Sequence, residues 1–227
     1  MLQRILRFPC YFGLVFLLLL LAAVFNGCFS KAEGFLMLNL YHPLWLDRFF
    51  MLVTNFGDGL FSLMVIIVLL LWRQRKKAVI LLVAFLSSGL IAQIMKRTFQ
   101  MPRPSAFFEQ TGFDYPYFVN GIDLHGSNSF PSGHTTSAFA LATVIVLVFK
   151  KKRISLYCLC FAVLTGYSRI YLAQHFLQDV IVGALIGTCC ALMSYQWIYK
   201  SKVFKENRLP SYRYRAASAF QHLSSQD

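Results

Sequence analysis

Three short polar motifs interrupt a chain that is otherwise rich in apolar residues. Charged and imidazole side chains are unfavourable near a bilayer, so their presence at the ends of apolar helices indicates a functional site. Together the motifs supply three cations, two histidines and one carboxylate, a set suited to binding and attacking a phosphate group. They are Lys96-x6-Arg103-Pro104, Pro131-Ser132-Gly133-His134 and Ser168-Arg169-x5-His175-x3-Asp179.

His175 and Asp179 are spaced for a nucleophile and its partner. If both lie on one helical turn, a separation of four residues places them on the same face. A carboxylate bonded to one ring nitrogen fixes the tautomer and raises the basicity of the other nitrogen. Such a histidine can attack phosphorus or accept a proton. The alternative is a helix-capping Asp beside an interfacial His.

The second motif precedes an apolar helix and is typical of an anion site. Ser132 is a preferred N-cap residue, and Gly133 allows a ligand to approach the backbone closely. Free N–H groups at a helix N-terminus bind phosphate, and His134 in the first turn could protonate a leaving oxygen. The alternative is an ordinary capped helix start. No G-x-S-x-G elbow surrounds Ser132, which argues against a serine hydrolase.

The cations Lys96, Arg103 and Arg169 complete the candidate site. The guanidinium fork matches phosphate oxygens, and Lys adds a point charge. Together they could balance the charge of a pentavalent phosphorus transition state. The alternative is that they extend toward lipid headgroups from helix ends. No acid pair or His cluster has metal spacing, so we expect no metal and no cofactor.

The composition predicts a polytopic, all-α membrane protein. Of the 227 residues 57% are hydrophobic and 14% are charged, whereas a soluble domain carries about 25% charged residues. A spanning helix needs about 20 apolar residues. Six stretches come near that length: Cys10–Phe29, Asp58–Trp72, Ala78–Met95, His134–Phe149, Ile154–Tyr171 and Asp179–Tyr199.

The basic residues predict the orientation of these spans. With the N-terminus inside, 16 of the 22 Lys and Arg residues fall on the inner side. The positive-inside rule then places both termini in the cytoplasm and all three motifs on the external face. The formal charge of +13 is therefore a topology signal, and we expect no nucleic-acid partner.

The segments between the spans complete the predicted layout. We expect Lys31–Gly57 to form an interfacial segment and the second span to begin inside Leu52–Phe56. The aromatic loop Lys96–Pro131 is expected to lean on the membrane surface. Residues 1–200 would form one membrane domain, followed by a basic cytoplasmic tail at 201–227. The site is expected at a solvent-facing edge.

In these motifs the chain resembles the type 2 phosphatidic acid phosphatase superfamily, integral membrane lipid phosphatases related in fold to vanadium haloperoxidases. The family pattern is K-x6-R-P, then P-S-G-H, then S-R-x5-H-x3-D, and the chain matches each element in spacing and order. The combined signal is highly specific, although each element alone is weak.

The resemblance implies a metal-free phosphohistidine mechanism. His175 would be the nucleophile, oriented by Asp179, and His134 would protonate the leaving group and then activate water. The residues alone leave open which histidine attacks, although Asp179 favours His175. The phosphate would be held by Lys96, Arg103, Ser132, Gly133 and Arg169.

A site at a membrane face favours amphiphilic substrates. By the resemblance, the candidates are undecaprenyl diphosphate, lipid A, phosphatidylglycerol phosphate and phosphatidic acid, hydrolysed at the periplasmic face of a bacterial inner membrane. A lipid phosphotransferase would carry the same motifs. A lipid transporter would not explain His134 or the His175–Asp179 pair, because binding alone does not need them. The membrane spans disfavour a haloperoxidase. The oligomeric state and the lipid identity are not encoded in these patterns.

Overall fold

The computed structural model describes residues 8–200, and over that range the regular structure is entirely helical. The predicted all-α class is confirmed. The expected tail at 201–227 lies outside the described residues. The helices are α1 (Pro9–Cys28), α2 (Lys31–Leu38), α3 (Leu44–Thr54), a 3-10 turn (Asn55–Gly57), α4 (Gly59–Leu71), α5 (Arg75–Phe99), α6 (Pro104–Thr111), α7 (Gly133–Phe149), α8 (Lys152–Tyr171) and α9 (Leu177–Lys200).

Four segments of residues 8–200 are long and apolar enough to cross a membrane. They lie in α1, in Arg75–Thr111, which contains α5, in α8, and in α9. The helices α3 and α4 pass the same test only together, as a pair bent by 55°. Helix α7 is a shorter apolar helix of 17 residues. The described residues therefore provide four spans, or five with the bent pair, and six spans remain a prediction.

The corner between α3 and α4 differs from the predicted start of the second span. Helix α3 continues to Thr54, and the 3-10 turn separates it from α4. The Asp58 side chain caps α4 by accepting the Leu60 N–H at 2.9 Å. The predicted helix start inside Leu52–Phe56 is therefore wrong, because the Asp58 cap begins α4 at Gly59 and separates it from α3.

Helix α7 forms the centre of the bundle. It packs against α5, α8 and α9, and 11 of its 17 residues are buried, so other helices surround it on most sides. Small side chains permit this close packing: a Cβ placed on Gly187 of α9 would overlap the Thr136 carbonyl oxygen of α7. The helix that begins with the P-S-G-H motif is therefore held firmly by its neighbours.

The aromatic loop between α5 and α7 is more ordered than the sequence predicted. It contains α6, which begins with Pro104, a favoured first helical residue. Phe108 and Tyr115 are buried, and both rings pack against Phe35 of α2. The membrane-surface expectation is wrong for these two residues, because their rings form a buried cluster of offset and edge-to-face contacts.

Candidate active site

His175 lies in the turn that joins α8 to α9. The N–H groups of Gln174 and His175 both donate to the Arg169 carbonyl oxygen, at 2.9 and 3.0 Å. These bonds bring His175 back beside the last turn of α8. Because α9 begins at Leu177, His175 and Asp179 do not share a helical turn as expected. They nevertheless meet, with His175 Nδ1 3.4 Å from Asp179 Oδ2.

The Asp179 carboxylate is fixed by further donors. Its Oδ2 accepts the Ser129 hydroxyl at 2.5 Å and the Phe176 N–H at 3.0 Å. The Ser129 oxygen also lies 3.4 Å from His175 Nδ1. A carboxylate facing Nδ1 favours the tautomer with the proton on Nδ1, which leaves the Nε2 lone pair free. The 3.4 Å separation exceeds the usual hydrogen-bond range of about 2.7–3.2 Å.

The His175–Asp179 pair is buried, which corrects the expectation of a solvent-facing edge. His175 is 2% exposed and Asp179 is 0% exposed. Burial disfavours the imidazolium form and lowers the pKa of His175, while the hydrogen bond to Asp179 opposes that shift. Because the pKa falls below its ordinary value, neutral His175 predominates near neutral pH. A neutral imidazole is the form that can attack phosphorus.

The second motif starts α7 beside this pair. Ser132 caps the helix: its Oγ accepts the Thr135 N–H at 3.4 Å and the Thr135 hydroxyl at 2.8 Å. The Ser132 N–H donates to the Asp179 carbonyl oxygen at 3.0 Å, which joins the starts of α7 and α9. A Cβ placed on Gly133 would meet nothing within 4 Å. The N-terminus of α7 thus borders open space, as an anion site requires.

His134, in the first turn of α7, packs against the corner between α3 and α4. A Cβ on Gly57 would lie 2.8 Å from His134 Cβ, 2.9 Å from the His134 carbonyl oxygen and 2.6 Å from Thr165 Cγ2. These separations are shorter than van der Waals contact, so only glycine fits where the 3-10 turn passes His134. The turn therefore packs closely against His134.

Arg169 presents an incompletely bonded guanidinium at the same end of the bundle. It is 8% exposed, and its Nη1 donates to Thr54 Oγ1 at 2.6 Å. Its Nε is buried and has no hydrogen-bond partner within residues 8–200. A buried donor without an acceptor costs about 1–3 kcal/mol. An anion at this position would remove that penalty.

Arg103 is held in place from two sides. Its Nε donates to the Ser127 carbonyl oxygen at 3.0 Å. Its Nη1 donates to Gln174 Oε1 at 2.7 Å. Gln174 immediately precedes His175, so the orientation of the Arg103 guanidinium is tied to the turn that carries His175.

Lys96 approaches from the end of α5. Its Nζ donates to the Asn128 carbonyl oxygen at 2.6 Å. It lies close enough to Arg103, Arg169 and Asp179 for their charges to interact. The structure therefore brings the three predicted cations to one cluster around the His175–Asp179 pair.

Comparison with known proteins matches this arrangement. The family model described as PAP2 superfamily matches residues 77–202, more than half of the chain. The chain belongs to the PAP2 superfamily. The matched region contains all three motifs and the helices α5 to α9 that position them.

PAP2 relatives with described activities cover different shares of the chain. This chain is 30% identical over 178 residues to a lipid A 4'-phosphatase of Porphyromonas gingivalis. The alignment covers 77% of this chain and 73% of the relative. A lipid A 4'-phosphatase of Bacteroides thetaiotaomicron is 36% identical over 74 residues, or 33% of this chain and 32% of the relative. For four curated relatives the alignment covers only 32–49% of the relative's own length.

A solved PAP2 structure shares the fold. The crystal structure of Aquifex aeolicus LpxE superposes with a TM-score of 0.62 and 31% sequence identity, covering 74% of this chain and 96% of LpxE. The helical arrangement of the described residues is therefore similar to that of LpxE.

Three polar residues that hydrogen-bond to the predicted site residues were not singled out from the sequence. Ser129 bonds to Asp179, Gln174 bonds to Arg103, and Thr54 bonds to Arg169. Ser129 lies two residues before Pro131, and Gln174 is the last residue of the x5 segment in the third motif, so a search of the neighbouring polar residues could have found them. Thr54 is 115 residues from Arg169, and no local signal marks it.

The described residues also bear on whether a metal ion could bind here. Between residues 8 and 200, no group of three or more His, Cys, Asp or Glu side chains is arranged to hold one. The charged side chains gathered beside the His175–Asp179 pair are the cations Lys96, Arg103 and Arg169. Cations complement phosphate directly and oppose a divalent metal ion.

Proposed function

We propose that this protein is a lipid phosphate or diphosphate phosphohydrolase that works through a phosphohistidine on His175. The observation that carries the proposal is the buried His175–Asp179 pair beside three cations, one of which has an unbonded Nε–H. Membership of the PAP2 superfamily and the similarity to two lipid A 4'-phosphatases support it. Lipid A, undecaprenyl diphosphate and phosphoglycerolipid phosphates are the candidate substrates.

The proposed first step forms a bond between His175 Nε2 and phosphorus. The bond from phosphorus to the leaving oxygen breaks, and His134 gives that oxygen a proton. Asp179 stabilises the positive charge that develops on His175. Lys96, Arg103 and Arg169, with Ser132 and the Gly133 backbone, bind the phosphate oxygens as negative charge accumulates.

The proposed second step regenerates the enzyme. His134, now neutral, takes a proton from water, and the resulting hydroxide attacks the phosphorus of phosphohistidine. The bond to Nε2 breaks and inorganic phosphate is released. Side chains and the Gly133 backbone supply the charge stabilisation, so we propose that the reaction needs no metal ion.

The proposed topology places this chemistry at headgroup depth. Six spans, with α7 and the bent α3–α4 pair included, would leave both termini in the cytoplasm and the site at the periplasmic face of the inner membrane. Helix α2 and part of α3 would then lie at the interface. Residues 1–200 would form the membrane domain, and 201–227 a cytoplasmic tail.

Phosphate release from a lipid panel tests the proposal. The purified full-length protein in detergent is offered phosphatidic acid, phosphatidylglycerol phosphate, undecaprenyl diphosphate and lipid A, with EDTA present. We expect release of inorganic phosphate from at least one lipid, unchanged by EDTA, and inhibition by orthovanadate, which resembles pentavalent phosphorus.

Each other outcome contradicts a defined part of the proposal. Binding without release from any lipid would favour a transporter, and transfer of labelled phosphate to a second lipid would favour a phosphotransferase. Loss of activity in EDTA that is restored by a metal ion would overturn the metal-free mechanism.

The contact between Gly57 and His134 gives a second test. We expect Gly57→Ala to destabilise the protein by about 1–3 kcal/mol, because the added methyl group overlaps Thr165 and His134. Displacement of His134 should also lower kcat by about ten- to a hundredfold. Thermal unfolding in detergent and phosphate release measure the two effects.

Gly89→Ala is the matched control, since a Cβ there meets nothing within 4 Å. It should keep both stability and rate. A Gly57→Ala variant with unchanged kcat would show that this corner does not position His134.

A further inference from the structure

Lys31 is a cation near the site that belongs to none of the three motifs. It begins α2, directly after Ser30, which forms a capping box with Glu33. Its Nζ lies 4.0 Å from the centroid of the Phe176 ring and 5.3 Å from that of Phe107. Phe176 follows His175 and donates its N–H to Asp179. The ammonium group therefore lies against the segment that carries the nucleophile.

Lys31 has no acidic partner within residues 8–200. The ion pairs between side chains in that range are His42–Asp47 and His175–Asp179. Lys31 is half-buried, and burial lowers its pKa, while the charge of Asp179 opposes the shift. The ring faces of Phe107 and Phe176 offset part of the desolvation. An anionic ligand would offset the remainder, because no carboxylate among the described residues forms an ion pair with Lys31.

An apolar groove lies along α1, α8 and α9 and extends to Leu177, the residue after Phe176. The groove is a cavity of about 180 Å³ with an almost wholly apolar lining. Leu177 lines this groove and also a smaller cavity that Lys31 and Phe176 border. A hydrocarbon chain in the groove would thus contact Leu177, which also borders the small cavity at Lys31.

We propose that Lys31 binds an anionic group of the substrate lipid other than the phosphate that His175 attacks. This inference rests on the proposed phosphohydrolase function. It selects lipids in which a second phosphate lies on the same molecule, as in a diphosphate or a headgroup with two phosphates. Lys31 is then a residue that determines specificity, and the motif cations act on the reacting phosphate.

The position of Lys31 distinguishes this role from a topological one. A lysine at the end of a spanning helix extends toward the headgroups of the bilayer. The Lys31 ammonium instead lies over the ring of Phe176, which is 2% exposed, beside the His175–Asp179 pair. That orientation directs the charge inward, to the site.

A matched pair of substrates tests the inference. Full-length wild-type, Lys31→Gln and Lys31→Arg proteins in phospholipid-free detergent are assayed on a polyprenyl diphosphate and on the monophosphate of the same chain. The measured quantity is the KM for the diphosphate divided by the KM for the monophosphate. In Lys31→Gln this ratio should rise by about tenfold, because one charge-assisted contact is lost. Lys31→Arg should restore most of the ratio.

Arg97→Gln is the control, because it removes an exposed cation near the end of α5. Its KM ratio should equal that of the wild type. An unchanged ratio in Lys31→Gln, or an equal loss on both substrates, would overturn the inference and favour contact with a bilayer headgroup. If wild-type protein hydrolyses neither substrate nor the lipid panel, the proposed function itself fails. Elution as one sharp peak in size-exclusion chromatography establishes that each variant is folded.

Discussion

Replacing His175 by asparagine should lower phosphate release by about 10⁴-fold or more, because the proposed nucleophile is removed. Asparagine is preferred to alanine here because His175 is buried and faces a carboxylate. Its amide can donate to Asp179, so the carboxylate is not left unpaired in the interior. The measurement is inorganic phosphate release from the best lipid of the panel.

His42 provides the control for this experiment. Its Nδ1 lies 3.2 Å from Asp47 Oδ1, and its ring stacks on Tyr171 at 4.3 Å between centroids. It is thus a second histidine–carboxylate pair, but none of the three cations contacts it in the described hydrogen bonds. His42→Asn should lower thermal stability and keep kcat within a few-fold. A His175→Asn protein that retained turnover would remove His175 from the nucleophile role.

The helices of this protein are largely predictable from its sequence, because their ends coincide with abrupt changes in polarity. Helix α7 was expected from His134 to Phe149 and runs from Gly133 to Phe149. Helix α8 was expected from Ile154 and begins at Lys152. Both begin where a polar or charged run meets an apolar run, a boundary that hydropathy detects directly.

The corner between α3 and α4 was not predictable in the same way. Leu52 to Thr54 are apolar or β-branched enough to continue the following span, and hydropathy alone joins them to it. Asp58 determines where the second helix begins, because its side chain accepts the Leu60 N–H and so starts a separate helix. A capping interaction outweighs the apolar pattern at this point.

The residues that meet in the candidate site were predictable, but their supporting hydrogen bonds were not. Each motif carries its own chemistry in local spacing, so His134, His175 and the three cations could be found from sequence. Their supporting hydrogen bonds come from elsewhere: Ser129 is 50 residues from Asp179, and Thr54 is 115 residues from Arg169. Burial of His175 is likewise a tertiary property, because it depends on the packing of α7, α8 and α9 around the turn.

The role proposed for His134 predicts that substrate chemistry decides how much its loss matters. With a lipid phosphate, the leaving oxygen needs a proton, and His134→Ala should lower kcat by about 10²–10⁴-fold. With p-nitrophenyl phosphate the leaving group departs as a stable anion, so the first step should remain fast. The second step still lacks the base that activates water.

His134→Ala should therefore release one equivalent of p-nitrophenolate per site in a burst, followed by slow turnover. The phosphoryl group should remain on the protein in an acid-labile, base-stable form, as expected of phosphohistidine. Rapid-mixing absorbance measures the burst, and mass spectrometry of peptides containing His175 locates the phosphate.

The double variant His134→Ala with His175→Asn separates this account from its alternatives. Without His175 no phosphoenzyme can form, so the burst should disappear. A burst that persisted in the double variant would place the covalent step on another residue. A His134→Ala protein with no burst would mean that His134 is needed even when the leaving group requires no proton. Gly57 connects this test to the fold, because it packs closely against His134. On p-nitrophenyl phosphate, Gly57→Ala should slow the second step more than the first. It should therefore give a smaller burst of the same kind.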